Sequence, residues 1–183
     1  RKSQFFGSIV SVHNDGEFNE YLVIDGQQRL TTISLLLLAM YNLMKNGVLT
    51  PEKGNLAEKI YKTYLIDEWQ DDDTRIKLKP VKNDRNAFGK LFDEESEHIP
   101  DSNLTINYNY FYSRIQKEEI TLDECIVKDG KFAGVICKAF DREDYILITD
   151  PKVWISHPRN YSGRGYHFYR NMFWRIQPFC YVQ

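Results

Sequence analysis

The sequence predicts an α+β fold, and three observations predict it. Phe5 to Val12 and Tyr21 to Ile24, rich in Ile, Val and aromatic residues, flank an Asn14-Asp15-Gly16 turn and read as a β-hairpin. A strongly apolar run from Leu30 to Met44 follows at helical spacing. From Cys125 onward, stretches of β-branched and aromatic residues alternate with turn signals, so the C-terminal part is expected to be β-rich.

In the apolar run, Leu30, Ile33, Leu36, Leu37, Met40, Leu43 and Met44 form one helical stripe. Leu35 and Leu38 carry it around the other side, which predicts a nearly enclosed core helix. Asn46-Gly47 supplies a C-terminal stop. Leu56 to Leu65 is a further helix candidate, and Ile66 to Thr74 is acidic and expected to be exposed. Arg75 to Leu78 reads as a short extended stretch ended by Pro80. Asn83 to Phe92 reads as helix with Asp84 as a cap, Glu94 to Asn103 as polar loop, and Asn107 to Ile115 as an aromatic helix. Lys128 to Lys131 marks a turn, with Phe132 to Phe140 and Tyr145 to Thr149 as strands around a second turn at Asp141 to Asp144.

The 183 residues, 42% of them hydrophobic, suffice for one domain with an appendage and a core of its own. The chain begins at Arg1 rather than Met, as a fragment would. A net charge of -2 gives no global signal for nucleic acid. The sign is uneven, however: no acidic residue follows Asp150, whereas Lys152, Arg159, Arg164, Arg170 and Arg175 are basic. Cys125, Cys137 and Cys180 lack paired spacing, which points to reduced thiols and a cytoplasmic protein. The apolar run is too short to suggest a membrane span.

The junction between the second strand and the apolar helix carries the chemistry. Ile24-Asp25-Gly26-Gln27-Gln28-Arg29-Leu30-Thr31-Thr32 ends a strand in a Gly turn and opens a helix, where free backbone N–H groups attract anions. Asp25 and Gln28 have the spacing of a capping box, so both would also serve to close the helix end. Arg29 fits capping poorly. A cation in the first turn opposes the helix dipole unless a bound anion pairs with it, and this favours a phosphate-binding turn over an ion pair with a neighbouring acid. Thr31 and Thr32 read first as packing residues.

Phe6-Gly7-Ser8-Ile9-Val10, followed by Tyr21 to Thr32 with its Asp-Gly-Gln-Gln-Arg core, resembles the N-terminal domain of GmrSD-type, modification-dependent restriction endonucleases. Ile76 to Pro80, Asp84 and Phe88, and then Asn107 to Phe111, extend the resemblance to about residue 120. It implies a ParB/sulfiredoxin-like core over residues 1–124, a hairpin and helix with added helices. Residues 125–183 form an aromatic and basic β-rich region of unknown type. It also implies a nucleoside triphosphate and Mg2+ as cofactors, with Asp25, Gly26, Gln27, Gln28, Arg29 and Thr31 at the nucleotide. Arg29 would pair with a phosphate. Gln27 or Gln28 would orient a water for attack on the terminal phosphate. Asp25 would hold the magnesium ion through water. The family's HNH-type nuclease motif is not recognisable in the chain. Glu97-His98-Ile99-Pro100 is similar to a string in that nuclease half, but lies in a polar loop of the wrong domain and reads as surface.

The tail from Trp154 to Arg175 interleaves aromatics with Arg159, Arg164, Arg170 and Arg175. Arginines contact phosphates and aromatics stack on bases, so these are the candidate DNA contacts, weighed against a small aromatic core with Arg around it. Three functions follow. The first is an NTP-dependent DNA endonuclease component of a restriction or phage-defence system. The second is a non-catalytic nucleotide-sensing or DNA-binding module that regulates a nuclease on another domain or subunit. The third is a structural domain whose turn only caps a helix.

Overall fold

The computed structural model describes residues 9–14, 20–51, 54–70, 75–128, 130–139, 144–149 and 166–168. Among them are four α-helices and six strands, a mixed α+β arrangement as expected. The strands are β1 (Val10–Asn14), β2 (Glu20–Asp25), β3 (Ile120–Lys128), β4 (Lys131–Ala139), β5 (Asp144–Thr149) and β6 (Tyr166–Phe168). The helices are α1 (Gln27–Lys45), α2 (Leu56–Ile60), α3 (Lys82–Lys90) and α4 (Asn103–Gln116). The chain divides into two compact units, residues 1–27 with 121–183, and residues 28–120.

In the first unit, β1 and β2 form the expected antiparallel hairpin. Asn14, read as turn, is instead the last residue of β1 and sits opposite Glu20. The predicted Asp15-Gly16 turn and Phe5 to Ser8 lie outside the described residues. The register steps from Val10↔Asp25 to Ser11↔Val23, so Ile24 is an extra residue on β2. Such a bulge sharpens the local twist at the end of the strand that carries Asp25. On the other edge of β1, β6 pairs antiparallel, with Val10 opposite Phe168. A second sheet has the order β3-β4-β5, with β4 and β5 antiparallel and Ala139 opposite Asp144. β4 holds the predicted strand as far as Ala139 and β5 the predicted strand from Tyr145, while Phe140 and most of the predicted turn, residues 141–143, lie outside the described residues. Cys137 is buried, and neither it nor Cys125 is in a disulfide.

The second unit is built on α1. Ile33, the run Leu35 to Met40, Leu43 and Met44 are buried, so the helix is enclosed over most of its circumference as its composition predicts. Its end is a complete Schellman motif: Gly47 N–H donates to Met44 O (3.1 Å) and Val48 N–H to Leu43 O (2.9 Å). Gly47 adopts φ +72°, a conformation that costs other residues energy. The helix predicted over Leu56 to Leu65 is present, with α2 widening into a π-helical turn at Tyr61–Leu65. There Tyr61 stacks on Tyr41 with ring centroids 4.2 Å apart.

Ile66 corrects the reading of an exposed acidic stretch. It is buried and bridges Ile76, supported by Asp67 N–H to Arg75 O (2.7 Å) and Lys77 N–H to Leu65 O (2.9 Å). An apolar residue at the rim of an acidic run has followed the core. Asp84 is not the cap of α3 either; Val81 holds that position and Asp84 lies in the first turn, where its charge suits the dipole. The stretch read as polar loop contains a 3₁₀ turn at Glu95–Glu97. The aromatic helix α4 starts earlier than predicted because Ser102 caps it, accepting a hydrogen bond from Leu104 N–H (3.2 Å).

Candidate functional site

The predicted phosphate turn is the junction of β2 and α1. β2 ends at Asp25, paired with Val10, and the helix begins at Gln27. Gly26 between them is buried and has φ +97°, a backbone conformation that L side chains rarely adopt. This corrects the capping-box reading. The residue directly before the helix is Gly26, and Asp25 is held one place earlier by the strand register. The Asp25–Gln28 spacing therefore does not match the N-cap and N3 positions.

The side chains around the junction are arranged for access. Asp25, Gln27 and Gln28 are exposed, and Arg29 and Thr31 are half-buried. Gln27 Nε2 donates to Val23 O at 2.8 Å, which ties the first helical residue back to the strand before the turn. Thr32 is exposed and its hydroxyl donates to Gln28 O at 2.8 Å, so it bonds to the backbone one turn back rather than packing into the core. The first turn of α1 holds no acidic residue, so no carboxylate on the helix itself offsets its positive end. Residues 25–27 belong to the first unit and residues 28 and 29 to the second.

One family model matches the chain: the GmrSD restriction endonuclease N-terminal domain, over residues 1–152. The chain belongs to this family. A search of curated proteins finds no match, and neither does a search of solved structures. As a GmrSD N-terminal domain, the chain is a component of a restriction system, and the substrate of such a system is DNA.

The remaining candidates of this GmrSD domain fall out differently. Arg159, Arg164, Arg170 and Arg175 lie outside the described residues. Glu97 is ion-paired with a lysine. Its carboxylate accepts from Lys90 Nζ at 2.9 Å, and the hydrogen bond and charge of Lys90 hold it below the usual carboxylate range. Among the described residues, no group of three or more His, Cys, Asp or Glu side chains could hold a metal ion. No helix among them is long and apolar enough to cross a membrane. One polar group escaped the sequence reading. Asn42, Lys45 and Asn46 share one face at the far end of α1, and Asn42 Nδ2 donates to Tyr108 Oη at 2.8 Å. Three polar residues at helical spacing closing an apolar run were the available signal.

Proposed function

We propose that this GmrSD N-terminal domain is the NTP-dependent part of a modification-dependent restriction or phage-defence system, with the Asp25–Arg29 turn as its nucleotide site. One observation carries the reading. A glycine at φ +97° leads directly into a 19-residue helix whose first turn contains Arg29 and no acid. Backbone N–H groups and a positive dipole end favour an anion there, and a guanidinium in the same turn is stabilised by one. Thr31, one residue beyond the first turn, would lie beside the same phosphates.

Gln27 and Gln28 divide the work of positioning. The amide nitrogen of Gln27 is committed to Val23, so its oxygen is the group that would orient an attacking water. Gln28, exposed on the next position, would contact the nucleotide. Asp25 fits Mg2+, which keeps several waters and takes one carboxylate together with phosphate oxygens. The metal would neutralise charge on the phosphates. The basic tail with Arg159, Arg164, Arg170 and Arg175 would supply the DNA contacts, and the hairpin and helix would form a ParB/sulfiredoxin-like core.

Isothermal titration with ATP and GTP in the presence of Mg2+ tests the site. The parent is expected to bind at least one of them, and Arg29→Ala to lose binding while keeping its circular dichroism and melting temperature. No binding by the parent, or equal binding by the variant, overturns the reading. Phosphate release and DNA cleavage by the parent then separate an NTPase and endonuclease component from a nucleotide-sensing module, which binds without turnover.

A further inference from the structure

At the opposite end of α1 from the nucleotide turn lies an open cleft of about 460 Å³, within the second unit. That volume falls in the range of small-molecule sites, roughly 300–1,000 Å³. The cleft's nearest residue on α1, Asn42, lies 13 residues after Arg29, roughly 20 Å along the axis, so the two places share no residue.

Its walls have a definite character. Phe92, Tyr108 and Tyr112 provide aromatic surface, and Asn42 and Asn109 provide amides. Asn42 Nδ2 fixes the Tyr108 hydroxyl, which is thereby left with its own proton to donate. The Tyr108 hydroxyl is held above its ordinary pKa, first by burial, and Glu95 adds to that shift; the phenol therefore stays neutral. The His98 ring meets Tyr108 edge-on at 5.5 Å, and its Nε2 is buried with no hydrogen-bond partner among the described residues.

The charge of the cleft decides what it takes. Asp93 shares Lys90, at 3.5 Å, with the closer Glu97. Glu94 and Glu95 make no ion pair among the described residues and stand exposed at the rim. The one lining cation, Lys45, sits 5.9 Å over the Tyr41 ring. Lys45 keeps its charge, but Asp93, Glu94 and Glu95 outnumber it in the lining, and a net negative lining with aromatic faces disfavours phosphates and attracts cations. A guanidinium satisfies both features, because its fork matches a carboxylate and its plane stacks on a ring.

We propose that this cleft is a second ligand site, for a small organic cation with a guanidinium or primary ammonium head. The cation's head would sit against Tyr112 and Phe92, with Glu94 and Glu95 as counter-charges. The site does not depend on the nucleotide reading, since it shares no residue with the turn.

Titration of the full chain with agmatine tests it, read by calorimetry and by the His98 and Tyr112 ring resonances. Agmatine is expected to bind and to shift both rings. The double variant Glu94→Gln/Glu95→Gln, in which exposed side chains keep their size, is expected to bind roughly tenfold more weakly with an unchanged melting temperature. Tyr112→Leu should weaken binding as well, and ATP should not compete. No agmatine binding by the parent, equal binding by the double variant, or tighter binding of the neutral adenosine overturns the proposal.

Discussion

Gly26 decides the geometry of the candidate site at the level of a single residue. Its φ of +97° turns the chain from β2 into α1, and a bulge at Ile24 precedes it. Any other residue there carries strain of about 1–3 kcal/mol. Gly26→Ala is therefore expected to lower stability by that amount in urea unfolding, and to weaken nucleotide binding because the helix's N–H groups would no longer be aimed as they are. Unchanged stability would mean the turn relaxes freely. Tyr108 presents the complementary case. Tyr108→Phe leaves Asn42 Nδ2 without its acceptor in a part-buried place. A loss of about 1 kcal/mol in the same assay is expected.

At the scale of elements, α1 was the most legible part of the chain. Its stripe of Leu, Ile and Met at helical spacing could be buried in only one way, and the structure encloses it. The Asn46-Gly47 stop was equally clear, because a left-handed residue after a helix is nearly a glycine signature. The hairpin followed from alternating composition and a turn signal, although its strand ran two residues further than the Asn14 turn suggested. Less legible were features set by packing rather than by local preference. The burial of Ile66, the π-helical turn after α2 and the Ser102 cap each depend on neighbours distant in sequence. The same holds for the site. The Asp-Gly-Gln-Gln-Arg string located it, but spacing alone could not tell that Gly26 rather than Asp25 precedes the helix. The cleft at the other end was missed because its residues come from three separate segments. Two substitutions test the account of α1. Leu43 is fully buried, so Leu43→Ala should cost about 2–5 kcal/mol. At Gly47 an added Cβ meets nothing within 4 Å, so the cost of Gly47→Ala, about 1–2 kcal/mol, would report backbone conformation alone.

For the molecule as a whole, the titratable groups predict how stability depends on pH. Tyr41, Tyr61 and Tyr108 are all raised above the ordinary value of 10.0, in each case first by burial. A group whose folded pKa is raised contributes stability that is fully present below its unfolded pKa and lost as pH rises through the folded one. All three belong to the unit of residues 28–120. That unit is thus expected to hold its stability up to about pH 10 and to lose it progressively above. Lys62 and Lys90, raised by hydrogen bonds to Glu68 and Glu97, act in the same direction. On the acid side the sign reverses. Glu97 is lowered below 4.5 by Lys90, so its contribution is present above that value and fades as pH falls through the folded pKa. Its exposure to solvent keeps this effect small. Alkaline unfolding followed by circular dichroism, with tyrosinate absorbance recorded in parallel, checks the prediction. Ionisation of Tyr41, Tyr61 and Tyr108 should coincide with loss of helix. Tyr108→Phe, one ionising group fewer, should show a shallower fall with pH than the parent. Ionisation of these three well before the helices melt would show that burial is not what holds their phenols neutral.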